Sequence, residues 1–493
     1  MQKKRVSFIL MLSLIVAIKL LPAQSVHSNS PSISKEAIKA DYKLALEILG
    51  RQHPNPYKFV DSIELQRQAD SLLHLMDSAP DVYSSMQYSP IQLLHDVHTN
   101  LQWSDDVTKE IYQSVRFFPF PIVFERGHML VNTKSGPIPF GSEIHCIDGM
   151  DIAQIIASLR SSSYSDGFIE TGIDRISSNF QLTWSLRNAH KSNYQITYTL
   201  PKQGKKQQVA IPSITAAQGF HSSRLAIHPI NQLQRAYWVI GDYDEGTKTG
   251  RLTVNTFNLQ EAVAYKEFST FFREIKHRGY KNIVIDIRSN GGGNPAISAL
   301  LYSFIALQPF DNVYNYRTKT IDMVYPEYAI EGGRAMSEDD ITNTRNFLHQ
   351  RFDLDTITSF YIGNTRLREG QVANFPPDKD AFQGNVYVLT GGGTVSAATY
   401  FASLVQKNKR GIVVGKETGS GEQSTTAAWF INYLLPKTKA ILTVPMSELY
   451  FFNAQSDNGR GVVPDKEVPL DKYIEYFLAG QDPEWSYVLT LIR

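Results

Sequence analysis

Residues 385–406, NVYVLTGGGTVSAATYFASLVQ, predict a strand, a glycine turn and a helix in succession. The first apolar residues are β-branched or aromatic, which is typical of a strand buried on both faces of a sheet. After the three glycines, apolar residues recur every three or four positions and predict the helix. Ser396 lies where this helix begins. A serine there is close to unpaired amide N–H groups and the positive end of the helix dipole, which suits acyl transfer, although serine is also a common N-cap residue.

A second strand that ends in three glycines lies at residues 283–293, IVIDIRSNGGG, and a helical pattern from Ala296 to Ile305 follows it. Because the carboxyl ends of parallel strands meet at one edge of a sheet, we expect the two glycine loops to face each other. Upstream, Arg251–Phe257 predicts a strand and Ala262–Lys276 an amphipathic helix. This alternation of strands and helices predicts a mainly parallel α/β sheet.

The two glycine loops resemble those of the carboxyl-terminal-processing and tricorn-like serine peptidases, also called tail-specific proteases. In that family a DxRxNGGG-like loop supplies an oxyanion amide and a TxSAA-like turn carries the nucleophile. The resemblance covers roughly Arg251–Asp465 and implies a crotonase-like (ClpP/crotonase) α/β catalytic core. It further implies a serine endopeptidase that uses no cofactor or metal, with Ser396 as the nucleophile. Backbone amides of Gly292 or Gly293, and of Ala397, would then bind the oxyanion.

The resemblance also selects a general base. Residues 93–99, LLHDVHT, are similar to an LxDGHT-like element of these peptidases, with Val97 in place of glycine. In tricorn-like members a histidine of this element reaches the serine, and His98 matches it. His95, one helical turn earlier, is the nearest alternative. On chemistry alone a lone histidine among 12 is more often structural.

Many relatives use a lysine as the base instead, three residues after the threonine of a TxGKG-like segment. Here that threonine is Thr418 and Gly421 occupies the lysine position. Lys416 lies on the other side of the turn. The histidine-based, tricorn-like arrangement is therefore favoured.

The acid that would orient the histidine is less clearly marked. Tricorn-like members carry a glutamate just before a GVxPD-like segment, which is GVVPD at residues 461–465 here. Asp457 precedes that segment, but Asn458 occupies the place of the glutamate, so the assignment needs a one-residue bulge. The alternative is an ordinary polar turn. Glu422 and Asp465 are less favoured substitutes.

Length and composition indicate a globular protein of several domains. At about 150 residues per domain, 493 residues predict roughly three domains. The chain is 42% hydrophobic and 20% charged, and its formal net charge is +1, so it has no charge pattern for nucleic acid or an anionic membrane. Cys146 is the only cysteine; it can form no internal disulfide, and we expect a buried structural thiol.

The N-terminal residues predict export. Met1–Arg5 is cationic, Val6–Ile18 is almost entirely apolar, and Ala23 provides a small residue for cleavage. We interpret residues 1–24 as a secretory signal peptide and expect a periplasmic or secreted protein without a stable membrane anchor. The apolar run is shorter than the ~20 residues that a spanning helix needs, and Lys19 ends it.

The remaining chain divides into three predicted domains. Residues 30–105 form an N-terminal helical domain, residues 106–225 a PDZ-like β-rich domain, and residues 226–493 the catalytic core. Residues 308–380 show no regular pattern and are expected to form a lid or rim over the site.

The PDZ-like prediction depends on residues 139–149, PFGSEIHCIDG, which are similar to the GDxIxxINGxxV-like core of that module. PDZ modules bind extended peptide ends by strand addition, so the C terminus of a peptide or protein substrate is expected to bind there. The insertion at residues 161–190 departs from a compact PDZ module. A β-rich domain with a purely structural role is the alternative.

A second class of function also fits the scaffold. Some relatives of this peptidase family bind ligands without hydrolysing them. Ser396, both glycine loops and His98 are all present, which favours an enzyme over a non-hydrolytic ligand- or peptide-binding protein.

Overall fold

The computed structural model describes residues 32–160, 165–228, 237–367, 371–454 and 456–492. The signal peptide predicted at residues 1–24 lies outside this part of the chain. Among the described residues, no helix has both the length and the apolar character needed to cross a membrane.

Helices are distributed along the whole described chain. They are α1 (Lys35–Gln52), α2 (Ser62–Ser78), α3 (Val82–Ser85), α4 (Asp105–Ser114), α5 (Ile152–Arg160), α6 (Ile173–Ser185), α7 (Ala216–Arg224), α8 (Glu261–Arg278), α9 (Pro295–Ser303), α10 (Glu338–Arg351), α11 (Ala397–Lys407), α12 (Leu470–Leu478) and α13 (Pro483–Ile492).

Strands begin after the first helices. They are β1 (Asn100–Gln102), β2 (Ile122–Glu125), β3 (His128–Val131), β4 (Glu143–Ile147), β5 (Met150–Asp151), β6 (Asn193–Thr199), β7 (Lys206–Pro212), β8 (Val239–Asp244), β9 (Thr249–Val254), β10 (Asn282–Asp286), β11 (Phe310–Thr318), β12 (Ala329–Glu331), β13 (Arg334–Ala335), β14 (Phe352–Asp355), β15 (Phe360–Gly363), β16 (Gln371–Phe375), β17 (Asn385–Thr390), β18 (Ile412–Gly415), β19 (Ser424–Leu434) and β20 (Ile441–Phe451).

A five-stranded sheet carries the two glycine loops. Its order is β18-β17-β10-β9-β8, and all neighbours are parallel except β8 and β9. Alternate side chains point to opposite faces: Ile283 and Ile285 pack with helices α8, α9 and α11 in the main core, whereas Val284 packs near Val488 of α13. Asp286 of β10 pairs with Leu389 of β17, so the two strands end together, as the sequence predicted.

A nine-stranded sheet, whose pairings are antiparallel, forms the other side of the main core. Its order is β13-β12-β19-β20-β11-β15-β14, with β1 on β20 and β16 on β11. The prediction of a mainly parallel core therefore holds for the five-stranded sheet only, and the molecule as a whole has a mixed α/β fold. The prediction that residues 308–380 are irregular is wrong, because this region supplies six of those strands and α10.

A six-stranded antiparallel sheet, in the order β2-β3-β4-β6-β7 with β5 on β4, forms a separate core with α5 and α6. Residues 126–127 and 148–149 form the turns of the hairpins β2–β3 and β4–β5. All four turn residues have positive φ, as tight hairpin turns require. Cys146 of β4 is a free thiol and is only half-buried.

The N-terminal helices join two cores. Ile38 and Tyr42 of α1 pack with α2 and α4, whereas Ile48 and Leu49 of the same helix pack into the main core. Helix α1 continues past Gly50 and ends at Gln52. Helix α4 spans the predicted boundary at residue 105 and packs with the N-terminal helices.

Candidate active site

Ser396 lies at the N terminus of α11, directly after the glycine turn that follows β17. Its backbone has φ 58° and ψ −125°, a conformation that is uncommon for a residue with a side chain. The hydroxyl does not cap the helix, while the backbone N–H donates to the Ser420 hydroxyl at 2.7 Å. The strained backbone therefore presents a hydroxyl that is free of the usual N-cap role.

The two glycine loops lie against each other, as expected. The Thr394 hydroxyl donates to the Ile287 carbonyl at 2.9 Å, and the Val395 N–H donates to the Asn290 carbonyl at 3.0 Å. A Cβ atom built on Gly292 would lie 2.6 Å from the Cβ of Ser396. No side chain larger than hydrogen fits at Gly292, so the backbone of the second loop reaches the serine.

The backbone amides predicted to bind an oxyanion differ in whether they already donate a hydrogen bond. The Gly292 N–H donates to the Asn290 side chain at 2.9 Å. Within the described part of the chain, the N–H groups of Gly293 and Ala397 donate no hydrogen bond. The Ala397 nitrogen would lie 3.1 Å from a Cβ on Gly292. Two unpaired amides therefore belong to the loops that meet at the serine.

His98 follows the short helical segment at residues 91–94 and is half-buried. Its N–H donates to Asp96 at 2.8 Å, and its ring Nδ1 lies 3.3 Å from the Thr425 hydroxyl. One face of the ring stacks on Phe430, with ring centroids 6.2 Å apart and an interplanar angle of 25°. His95, the alternative base, has an exposed side chain and left-handed backbone.

Asp96 holds the backbone around His98. Its buried carboxylate accepts from the ring of His53 at 2.8 Å and from the hydroxyls of Thr99 and Thr426 at 2.5 Å. Burial raises the pKa of Asp96, but the hydrogen bond and charge of His53 and the charge of His98 outweigh it, so the pKa lies well below its usual range.

Asp166 is a functional candidate that the sequence did not reveal. Its buried carboxylate accepts from the Thr425 hydroxyl at 2.7 Å, the Val97 N–H at 2.9 Å and the Gly421 N–H at 3.0 Å. Burial and the negative charge of Asp96 raise the pKa of Asp166. The residue lies in the insertion at 161–190 and has no motif around it, so only the fold brings it to His98.

The carboxylates beside His98 suggest a metal site at first sight, because ligand atoms of Asp96, His98 and Asp166 lie within 4.8 Å of one another. The oxygens of both carboxylates already accept hydrogen bonds from protein donors. These residues therefore fit a hydrogen-bonded support for the histidine better than a metal site.

Asp457, the predicted orienting acid, is not brought to His98. Its carboxylate pairs with Lys58 at 2.6 Å and accepts from the Ser424 hydroxyl at 2.5 Å. Lys58 also pairs with the buried Glu448 at 2.8 Å. The two alternative orienting acids also make no contact with His98 among the described residues. Asp465 accepts from the Val413 N–H at 2.7 Å, and the contacts of Glu422 do not include His98.

Lys416 lies in an ion cluster in which Glu125 is buried and the lysine and Asp174 are half-buried. Its ammonium is 2.7 Å from Glu125 of β2 and 3.0 Å from Asp174 of α6. Burial lowers the pKa of Lys416, but the two carboxylates outweigh it and hold the pKa well above its ordinary value. A raised pKa makes a lysine a poor proton acceptor.

One loop connects the serine to the histidine support. Ser420 contacts the backbone of Ser396, the next residue, Gly421, contacts Asp166, and Thr425 contacts both Asp166 and His98. No direct hydrogen bond joins His98 to Ser396 among the described residues. The arrangement brings together Ser396, His98 and both glycine loops, and leaves Asp457 outside.

Part of this chain matches a known protein family, and its fold is similar to that of solved structures. Residues 248–468 match the family model described as Peptidase family S41. The fold is similar to mature CPAF complexed with lactacystin, with a TM-score of 0.60 and 14% identity over 93% of this chain and 98% of that chain. It is also similar to mature CPAF, with a TM-score of 0.57 and 13% identity over 92% and 96% of the two chains. A search of curated protein sequences found no match.

Proposed function

We propose that this chain, which belongs to peptidase family S41 and is a serine peptidase, cleaves its substrates as an endopeptidase, through an acyl-enzyme on Ser396 with His98 as the general base. Its substrates are peptides or proteins. The observation that carries the proposal is the position of Ser396, whose strained backbone begins α11 between two glycine loops.

The contacts of His98 support a defined tautomer. The Thr425 hydroxyl donates its proton to Asp166, whose carboxylate also accepts from the N–H groups of Val97 and Gly421. The same hydroxyl can then accept only from a protonated Nδ1 of His98. Nε2 is thereby left unprotonated, as a base for the Ser396 hydroxyl requires. Asp166, acting through Thr425, takes the orienting role that the sequence had suggested for Asp457.

The oxyanion of the tetrahedral intermediate would be bound by amides of the two loops. The N–H groups of Gly293 and Ala397 are unpaired, and α11 adds the positive end of its dipole. The Gly292 amide would take part only after release from Asn290. We therefore favour Gly293 with Ala397.

Three finer features belong to the same proposal. A crotonase-like core is supported by the sequential strand order and parallel pairing of β9, β10, β17 and β18. A PDZ-like module that receives the substrate C terminus is supported by the antiparallel sheet with α5 and α6. Export to the periplasm or outside the cell, after removal of residues 1–24, is supported by the N-terminal sequence alone.

The test is covalent labelling of the purified chain with a fluorophosphonate probe. We expect labelling at Ser396, no labelling of Ser396→Ala, and strongly reduced labelling of His98→Ala. Because the Ser396 hydroxyl makes no cap hydrogen bond, the alanine variant should keep the melting temperature of the wild type and serve as a matched control. Absence of labelling in the folded wild type would instead support a non-hydrolytic binding protein.

A further inference from the structure

We infer that Phe430 determines specificity by contacting the substrate residue on the leaving-group side of the scissile bond, and that the enzyme prefers an apolar residue at that position. The inference deepens the proposed function and rests on His98 being the general base.

The first observation is the environment of Phe430. Its ring stacks on His98 with centroids 6.2 Å apart, yet the residue is 45% exposed. A single exposed aromatic residue is ordinary on a protein surface. The Phe430 ring stacks on the proposed base and is itself accessible. It is therefore positioned to contact a substrate on which His98 acts.

The second observation is the backbone that puts Phe430 there. Ala428 and Trp429 have φ values of 56° and 49°, and they form a bulge in β19. Pairing with β20 shifts between Ala427, opposite Ser447, and Phe430, opposite Pro445. Two consecutive left-handed residues with side chains cost energy, and bulges beside active sites commonly redirect a side chain.

Trp429 anchors this bulge. Its ring lies 5.0 Å from those of Tyr316 and Phe347 and 6.1 Å from that of Phe352, measured between centroids. These three partners belong to the 308–380 region, which the sequence suggested as a rim of the site. Packing of Trp429 offsets the strain of the bulge and fixes the neighbouring Phe430 over the histidine.

The chemistry assigns the subsite. A histidine base that takes the serine proton then gives it to the leaving amine, so that nitrogen must come within about 3 Å of the imidazole. The side chain of the leaving residue is two bonds from the same nitrogen and therefore passes close to the ring that covers His98. An apolar side chain there removes water from the Phe430 ring, whereas a charged one loses hydration without gaining a partner.

The experiment measures kcat/KM of the full chain on a set of peptides that differ only in the residue after the cleaved bond. We expect leucine and phenylalanine to exceed aspartate, lysine and serine by roughly tenfold, the order of discrimination that one apolar contact provides. Phe430→Ala should remove most of this difference, and Phe430→Leu should retain it. Phe220→Ala, which deletes a ring of similar exposure (40%) packed on Tyr112, is the control and should retain the preference.

The outcomes separate this inference from the proposed function. Equal hydrolysis of all peptides by the wild type, or an unchanged preference in Phe430→Ala, would overturn the inference and leave the proposed function standing. A Phe430→Ala variant that slows all peptides equally and shifts the pH profile would also overturn it, because Phe430 would then position His98. No hydrolysis together with no fluorophosphonate labelling would overturn the proposed function itself.

Discussion

At the scale of single residues, the contacts of two aspartates assign them different roles. Asp166 accepts a hydrogen bond from the same hydroxyl that contacts His98, whereas Asp457 pairs with Lys58. We expect Asp166→Asn to lower kcat by about 10²–10⁴-fold, because the amide can hold the wrong imidazole tautomer. Steady-state kinetics on a casein-like substrate measure it.

The matched control is Asp457→Asn, the same change in the rival carboxylate. It should leave kcat within about threefold of the wild type, because the contacts that it weakens, with Lys58 and Ser424, do not include His98, and Glu448 still faces that lysine. Thr425→Val should also lower kcat, but by a smaller factor than Asp166→Asn. The reverse pattern, a dead Asp457→Asn and an active Asp166→Asn, would return the orienting role to Asp457.

Asp96 supports the backbone of His98, and its lowered pKa makes a pH-dependent prediction. A carboxylate whose pKa is lower in the folded than in the unfolded chain stabilises the fold above the unfolded value, ~3.9. That contribution is lost as the pH falls through the folded pKa. We therefore expect Asp96→Asn to lower the free energy of unfolding by about 2 kcal/mol at pH 7, and this deficit to shrink below about pH 4.

Urea unfolding at pH 7 and pH 3.5 checks this expectation. Asp77→Asn, which removes an exposed carboxylate paired with Lys39, is the control and should change stability little at either pH. A deficit for Asp96→Asn that stays constant with pH would show that its charge does not stabilise the fold.

Sequence reasoning can predict the site residues that a local pattern marks. The glycines follow the ends of strands and Ser396 begins a helix, and both features are visible in a short stretch of sequence. Asp166 is marked by no such pattern, because its role depends on a contact with Thr425, 259 positions away. The proximity of Asp457 to GVVPD suggests an orienting role, but sequence spacing cannot show that its carboxylate pairs with Lys58.

At the scale of elements, the loop that carries the second glycine triplet is fixed to the C-terminal helix by charge. Arg288 pairs with Asp286 at 2.7 Å, Asp482 at 2.6 Å and Glu484 at 2.8 Å. Burial raises the pKa of Glu484 to about 7, and Asp482 adds to the effect while Arg288 opposes it. One arginine thus pairs with three carboxylates, of which Asp286 and Asp482 are buried and Glu484 is half-buried, between the end of β10 and the start of α13.

We expect Arg288→Ala to lower the free energy of unfolding by about 3–5 kcal/mol, because Asp286 and Glu484 lose their paired cation and Asp482 keeps only Arg251, at 3.4 Å. Activity should fall as well, since Arg288 immediately precedes the loop that reaches Ser396. Denaturant unfolding and fluorophosphonate labelling measure the two effects. Lys276→Ala, which breaks the exposed pair with Asp380, should alter neither; a similarly mild result for Arg288→Ala would contradict the role of the cluster.

Element prediction succeeded where one periodicity persists along the chain. The parallel strands and helices from β9 to α9 were found within a few residues, because each buries an obvious apolar face. Residues 308–380 looked irregular because β12 and β13 have only three and two residues and α10 has few apolar positions. Such elements are stabilised by pairing and packing with distant strands, which a local pattern does not contain.

At the scale of the whole molecule, the candidate site is assembled from three separate regions. Ser396 belongs to the segment that matches the family model, whereas His98 follows the N-terminal helices and Asp166 lies in the insertion of the β-rich region. Lys416 ties the β-rich region to the serine loop, because it pairs with Glu125 and Asp174, and Asp174 also accepts from the Gly392 N–H at 3.4 Å.

This cluster distinguishes a structural lysine from a catalytic one. We expect Lys416→Met to reduce both stability, by about 3 kcal/mol, and activity, because Asp174 loses its ion pair and the buried Glu125 keeps only the more distant Arg126, at 3.6 Å. Neutralising them as well, in the triple variant Lys416→Met/Glu125→Gln/Asp174→Asn, should recover most of the lost stability, since a buried ion cluster can be replaced by neutral groups at little cost. Activity should recover with it to within about tenfold of the wild type, an allowance of about 1.4 kcal/mol in the barrier.

His98→Ala, by contrast, should lose activity while keeping its melting temperature. Thermal unfolding and fluorophosphonate labelling of the same four proteins provide the comparison. If the triple variant regains stability but stays inactive, Lys416 has a catalytic role after all, and the histidine assignment fails with it.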